Sequence, residues 1–236
     1  MKVALFSDIH ANLTAFEAVL KDCFNKYGSD IAIIHLGDCI DYGMRPNEVI
    51  DKLITLQGQI IAHIRGNHEN ALFGIETDRF SSQRGLEANL YTKSILSETS
   101  YNFLNSLSSG KLELTIENKK ILVVHGDLSD LYWGKMPVTE HKNPQYQKFD
   151  YVISGHTHIS SLLYSIDKNT CKKTVFVNPG SIGQPRNCNI NAQYAVLDTD
   201  TTAITFESVP YDYHFEQSLY NGEIDVYYKE RLAKGI

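Results

Sequence analysis

The run Ile31-Ala32-Ile33-Ile34-His35-Leu36 places hard limits on the fold of this chain. A strand that is apolar on both faces must be covered on both faces, as in the parallel sheets of α/β proteins. The run stops at Gly37-Asp38, and four other apolar runs stop in the same way. Lys2-Val3-Ala4-Leu5-Phe6 ends at Asp8 and His10, and Ile60-Ile61-Ala62-His63-Ile64 ends at Asn67 and His68. Ile121-Leu122-Val123-Val124 ends at His125, and Tyr151-Val152-Ile153-Ser154 ends at Gly155-His156-Thr157-His158. Ligands of open α/β sheets bind at the carboxyl ends of strands. Five of the nine histidines fall at such ends. Any one ending reads equally well as a polar loop with solvated side chains. Five together are hard to reach by chance.

The intervening segments read as helices. Asn12 is placed to cap a helix whose apolar face carries Leu13, Phe16, Val19, Leu20 and Cys23 at helical spacing. A second helix spans about residues 46–56. Residues 69–107 look helical and more polar, an insertion flanking the strand ends. Within it Ser97 is a candidate N-cap, with Leu96 and Tyr101 spaced for a hydrophobic staple. From Lys111 a hairpin turns through Glu117-Asn118-Lys119. Further strands are expected at residues 174–177, 194–197 and 203–209. The tail from Tyr211, with Tyr213, Tyr220, Tyr227 and Tyr228, reads as a helical or extended arm. With 236 residues, the chain suits one domain over 1–236.

The formal net charge of -6 and pI near 5.8 leave no broad footprint for nucleic acid. An anionic substrate must then be held by local positive charge, such as metal ions. No apolar run approaches the ~20 residues of a membrane span. The start is too short and reaches Asp8 too early for a signal peptide. Cys23, Cys39, Cys171 and Cys188 are scattered without a CxxC pair, which suits a reduced, cytoplasmic protein. Cys39 reads as a small buried hydrophobe.

The strand-end residues add up to a site. Asp8, His10, Asp38, Asn67, His125, His156 and His158 make seven oxygen and imidazole donors, enough for two divalent ions with one carboxylate shared. Donors without thiolate suit Mn, Fe, Ni, Co or Zn. Two ions bring about +4 against about -3 from two aspartates and a hydroxide, so the site attracts phosphate. A metal pair lowers the pKa of a bridging water and neutralises the transition state. His68 stands outside the seven and is placed to protonate a leaving oxygen, with Asp41 or Glu69 to orient it. His35 and His63 lie inside apolar runs and read as packed, His141 and His214 as solvated. Asp127, after His125-Gly126, reads as a support of the site or as a loop turn.

Asp8-Ile9-His10, Gly37-Asp38-Cys39-Ile40-Asp41, Gly66-Asn67-His68-Glu69, His125-Gly126 and Gly155-His156-Thr157-His158 resemble, in order, the motifs of the calcineurin-like metallophosphoesterase superfamily. The resemblance spans about residues 1–160. It implies a four-layer α/β/β/α sandwich of two mixed sheets flanked by helices. It also implies Asp8, His10 and His158 on one metal, Asn67, His125 and His156 on the other, and Asp38 between them. His68 matches the catalytic histidine, and Asp41 the acid paired with it. Residues 41–48 and 178–186 resemble small bacterial and archaeal phosphodiesterases. The Tyr-rich end is similar to that of a streptococcal enzyme of the group that cleaves diadenosine tetraphosphate asymmetrically.

The implied activity is metal-dependent hydrolysis of a phosphodiester or phosphomonoester, with manganese favoured and nucleotides or dinucleoside polyphosphates as candidate substrates. Protein serine/threonine phosphatases have Asp-Arg-Gly where this chain has Asp41-Tyr42-Gly43, which disfavours that branch. Arg45 and Arg186, and after them Arg65, are candidates to grip the substrate in place of the missing arginines. The rival reading is a protein-binding scaffold of the same fold, which the presence of His68 disfavours. The Tyr-rich arm is expected to pack over its own site or against a second copy, the latter making a homodimer.

Overall fold

The structure, a computed structural model, describes residues 1–136 and 144–236, so the expectation for His141 lies outside the described residues. Strands β1 (Lys2–Phe6), β2 (Ala32–His35) and β3 (Ile60–His63) run parallel. β9 (Ala192–Asp198) joins β1 antiparallel, and β10 (Ile204–Val209) pairs with β9, giving the order β10-β9-β1-β2-β3. The second sheet has the order β4-β5-β6-β8-β7. Here β5 (Lys119–Val124), β6 (Tyr151–Ser154) and β8 (Lys173–Asn178) are parallel. β4 (Lys111–Ile116) and β7 (Ser161–Ile166) run antiparallel at the edges.

Alternation along the strands builds the layers. In β1, Val3 and Leu5 face the second sheet, while Ala4 and Phe6 face the helices. Ile34 and Leu36 likewise join the inter-sheet core with Ile121, Val123, Ile153 and Val177. Each fully buried aliphatic side chain contributes roughly 1.5–3 kcal/mol. The expectation that residues 31–36 are covered on both faces therefore holds. Helices α1 (Leu13–Tyr27), α2 (Pro46–Thr55) and α5 (Glu98–Ser106) cover the outer face of the first sheet. Asn12 caps α1 by accepting from the Ala15 N–H at 3.0 Å, and Pro46 opens α2. The outer face of the second sheet is covered from the segments 128–136 and 144–149, by Leu128, Leu131, Tyr146 and Phe149 among others.

The polar segment expected to be helical carries α3 (Asn67–Leu72) and α4 (Gln83–Ile95) before α5. Ser97 caps α5 through the Ser100 N–H; Leu96 packs on the apolar cluster between the first sheet and its helices, while Tyr101 meets Phe73. The β4–β5 hairpin turns on two residues, Glu117 and Asn118, both in the left-handed region as a type I′ turn requires. Strand β7 was not anticipated. Its apolar residues Leu162, Tyr164 and Ile166 face outward on an edge, the reverse of an ordinary half-buried strand.

The Tyr-rich tail forms α6 (Tyr213–Ser218) and α7 (Val226–Arg231) and folds back on its own chain. Its anchor corrects the expectation for Arg45. That guanidinium pairs with Glu216, which is fully buried, and also donates to Thr14 Oγ1. Arg65 is likewise committed elsewhere, donating to the Leu104 and Asn105 carbonyls and lying over Phe73. Truncating Arg45 leaves a buried charge unpaired, which costs about 3–5 kcal/mol. Arg45→Ala is expected to lower the urea midpoint strongly, and adding Glu216→Gln to recover most of the loss.

His35 and His63 face each other across β2 and β3 with ring centroids 4.5 Å apart. Burial, reinforced by its neighbour, holds His35 well below the ordinary imidazole range, and burial pushes His63 down to about 3. The unfolded chain titrates near 6.5, so below that pH it takes up protons that the folded chain refuses. Stability therefore falls as pH falls, by up to about 1.4 kcal/mol per unit for each ring. Urea titrations of metal-free protein from pH 7 to pH 5 are expected to show this slope, and His35→Gln/His63→Gln to make it shallower.

Candidate metal centre

The six parallel strands of the two sheets end at one edge, and their following loops meet there. Asp8 and His10 follow β1, Asp38 and Asp41 follow β2, and Asn67 and His68 follow β3. His125 follows β5, His156 and His158 follow β6, and residues 178–186 follow β8. All seven expected donors are thus brought together. The backbone departs from regular geometry to do this. Asp8, His10, Asp38, Asp41, His156 and His158 have φ between 48° and 66°. Non-glycine residues occupy that region at a cost, and such strain clusters at functional sites. Two glycines make the loops fit. A Cβ on Gly66 would lie 2.1 Å from Asp38 Oδ1, and one on Gly37, at φ 94°, 2.2 Å from the Gly66 nitrogen.

Backbone carbonyls set the tautomers. His10 Nδ1 lies 2.9 Å from the Ile40 oxygen, and His158 Nδ1 2.6 Å from the Gln184 oxygen. A carbonyl only accepts, so each Nδ1 carries the proton and each Nε2 presents a lone pair. Those two Nε2 atoms face each other at 3.0 Å. Asp8 Oδ1 lies 3.2 Å from His158 Nε2, is buried and receives no hydrogen bond. Burial and neighbouring positive groups hold both rings well below the ordinary imidazole range, so neither supplies a second proton. Three converging lone pairs without a hydrogen between them fit a cation. Asp8, His10 and His158 bring ligand atoms within 4.8 Å of one another.

A second cluster adjoins the first. Asp38, His125 and His156 also converge within 4.8 Å, with Asn67 Oδ1 at 3.0 Å from His125 Nε2 and 2.9 Å from His156 Nδ1. His125 donates its Nδ1 proton to the Leu36 oxygen at 2.7 Å. Burial opposes charge on His125, but Asp38 at 3.1 Å outweighs it and raises the ring to about 9. His156 is pushed down to about 3 by burial and by His125. Asp38 is placed between the clusters, close to His125 on one side and grouped with His10 and His68 on the other.

His68 Nδ1 lies 2.6 Å from Asp41 Oδ2, and Nε2 is 4.0 Å from Asp38 Oδ2. Burial alone would lower its pKa, but Asp38 and Asp41 override burial and raise it. Asp41, not Glu69, therefore orients the ring. Glu69 instead accepts from the backbone N–H groups of Asp38, Cys39 and Gly66 at 2.7–2.8 Å, tying the β2 and β3 loops together.

Several contributors were not read from the sequence. Asn89 donates to Asp41 Oδ2 at 2.7 Å and to the His68 oxygen at 3.0 Å. It belongs to a buried stripe of small and polar residues, Gly85, Ala88, Asn89 and Thr92, which hydropathy does not flag. Tyr42 lies over His10 at 4.6 Å and is stacked in turn by Tyr228 of the arm at 4.2 Å. Asp127 serves a loop turn, accepting from Ser129 and Asp130 N–H. Arg186 borders a cleft of about 740 Å³ that opens over Asp38, Asn67, His68 and His156.

Imidazoles and carboxylates at the strand ends of two facing mixed sheets define a metal-dependent phosphoesterase. The family model described as the calcineurin-like phosphoesterase superfamily domain matches residues 1–202, and the chain belongs to that superfamily. MJ0912 of Methanocaldococcus jannaschii, an uncharacterised protein, is 30% identical over 222 residues, covering 89% of this chain and 88% of its own. Phosphodiesterase YfcE of Escherichia coli is 24% identical over 212 residues, 86% of this chain and 91% of its own. The crystal structure of a metallophosphoesterase from Sphaerobacter thermophilus superposes with a TM-score of 0.76 at 26% identity, covering 100% of this chain and 99% of that one. Among the described residues no helix is long and apolar enough to cross a membrane.

Divalent ions that bind the folded site stabilise it by mass action, about 2.7 kcal/mol at a hundredfold excess over Kd. Adding Mn²⁺ to chelator-treated protein is expected to raise its thermal midpoint. The increment should shrink in His158→Ala and in His125→Ala, measured by calorimetry.

Proposed function

We propose that this phosphoesterase hydrolyses small phosphoric esters at a dinuclear metal centre, with nucleotides or dinucleoside polyphosphates as its substrates. The observation that carries the reading is the meeting of unprotonated nitrogens and a bare carboxylate oxygen beside an oriented, proton-bearing His68. In this reading Asp8, His10 and His158 would hold one ion and Asn67, His125 and His156 the other, with Asp38 available to both clusters. Imidazole and oxygen donors without thiolate admit Mn, Fe, Ni, Co or Zn, and manganese is the favoured metal among them by the family resemblance. The ions would supply Lewis acidity toward the phosphate and an acidified water.

The chain's own groups do the rest. His68 donates its Nε2 proton to the departing oxygen, and Asp41, fixed by Asn89, keeps the ring aligned and charged. Arg186 offers a guanidinium to a phosphate oxygen at the rim of the cleft. Four free cysteines suit a reducing, cytoplasmic setting. The arm closes on its own chain, so the reading needs no second copy.

Hydrolysis of bis-p-nitrophenyl phosphate with Mn²⁺ tests the assignment. His68→Ala is expected to lower kcat about 10²–10⁴-fold, the usual worth of general acid–base catalysis. Arg186→Ala should act mainly on KM. Undiminished turnover by His68→Ala would remove that residue from the mechanism.

A further inference from the structure

The cleft is not uniformly polar. A corner of aromatic rings runs along it between His68 and His156. Phe80 meets the His68 ring edge-on with centroids 5.3 Å apart, and Phe80 meets Trp133 at 5.4 Å and 84°. Trp133 in turn meets His156 at 6.0 Å. Met136 and the 43%-exposed Ile159 border the same cleft. Such an apolar strip costs solubility unless something covers it.

The two rings come from segments far apart in sequence, yet they are fixed to each other. Phe80 follows the 3-10 turn Thr77–Arg79, and Trp133 lies in the loop after β5. Arg79 joins these segments, pairing with Asp130 and lying 5.6 Å over the Trp133 ring. Asp130 Oδ1 accepts from the Trp133 N–H at 3.1 Å, so the same carboxylate sets the tryptophan backbone. Lys135 and Arg186 add positive charge on the cleft. The result is a preorganised aromatic surface beside the group assigned to protonate the leaving oxygen, with cations nearby for phosphate.

We infer that Phe80 and Trp133 form a subsite for a flat aromatic group of the substrate, the nucleobase of a nucleoside phosphoester. This rests on the hydrolytic reading above and deepens it. Stacking on an aromatic side chain contributes about 1–3 kcal/mol per base, which corresponds to roughly 5–150-fold in affinity. Because Phe80 abuts His68, the stacked group belongs to the alcohol that departs beside that histidine. An aliphatic phosphodiester of equal charge gains nothing from the corner. A nucleobase and a simple aryl ring share the same chemistry, and probes of each kind separate them.

Trp133 is the one tryptophan of the chain, so its emission reports on this corner directly. Zn²⁺-loaded protein is titrated with AMP, phenyl phosphate and ribose 5-phosphate while tryptophan fluorescence is followed. AMP is expected to change the emission and to bind at least tenfold tighter than ribose 5-phosphate, with Phe80→Ala narrowing that gap. Phenyl phosphate matching AMP would assign the corner to aryl groups in general, and weaker binding would assign it to bases. Equal responses to AMP and ribose 5-phosphate overturn the subsite. In hydrolysis, the ratio of kcat/KM for the methyl ester of AMP over a glycerol phosphodiester is expected to fall at least tenfold in Trp133→Ala. An unchanged ratio also overturns it. If no phosphodiester is turned over with any divalent ion, the hydrolytic reading fails, and the fluorescence titration still decides the subsite.

Discussion

Two imidazole nitrogens 3.0 Å apart with no proton between them are the constraint on which the rest of the structure depends. Left in a low-dielectric interior, facing lone pairs repel, and a buried carboxylate oxygen without a donor costs several kcal/mol. The surrounding fold nevertheless holds them in place. Carbonyls of Ile40, Leu36 and Gln184 fix three ring orientations from behind. Ser181 donates to the Asp8 carbonyl, and Glu69 takes three backbone N–H groups of the neighbouring loops. Left-handed conformations at six site residues add strain that only a well-packed scaffold sustains. A cation held between them would turn this repulsion into coordination.

The scaffold supplies that rigidity through its two sheets. Parallel strands place their carboxyl ends on one edge, and the inter-sheet core locks both edges at a common level. Loops from six strands then meet at that edge. Where the site needs more than strand ends, the helices of residues 67–106 contribute. α3 carries Asn67 and His68, and Asn89 reaches in from α4. The C-terminal arm completes the wall through Tyr228 on Tyr42, held by the buried pair of Arg45 and Glu216.

Much of this was legible in the chain. Apolar runs with two-sided burial announced the central strands, and the polar residue ending each run announced the donors. Asn12 and Ser97 announced helix starts because capping is a local interaction between neighbours. Arg45 was misread for the opposite reason. It lies near a motif in sequence, but its partner Glu216 is 171 residues away. Strand β7 escaped because its alternation is reversed, with Leu162, Tyr164 and Ile166 outward at an edge and Ser161 and Ser165 on the inner side. Asn89 escaped because a buried helix face made of small and polar residues looks solvated.

The sequence by itself determined the residue types and their positions at strand ends, since strand periodicity and motif spacing are properties of nearest neighbours along the chain. From these the seven candidate donors and His68 followed, and the same motifs carried the resemblance that implied the two-sheet fold. Tertiary structure alone decided that Arg186 and not Arg45 borders the cleft; the donor grouping and the pairing of Asp41 with His68, implied by the resemblance, acquired their distances only there. It alone also brought Phe80 beside Trp133. Those outcomes turn on distances between segments from 27 to 171 residues apart. Such distances are set by how two sheets and an arm pack, which no local pattern encodes.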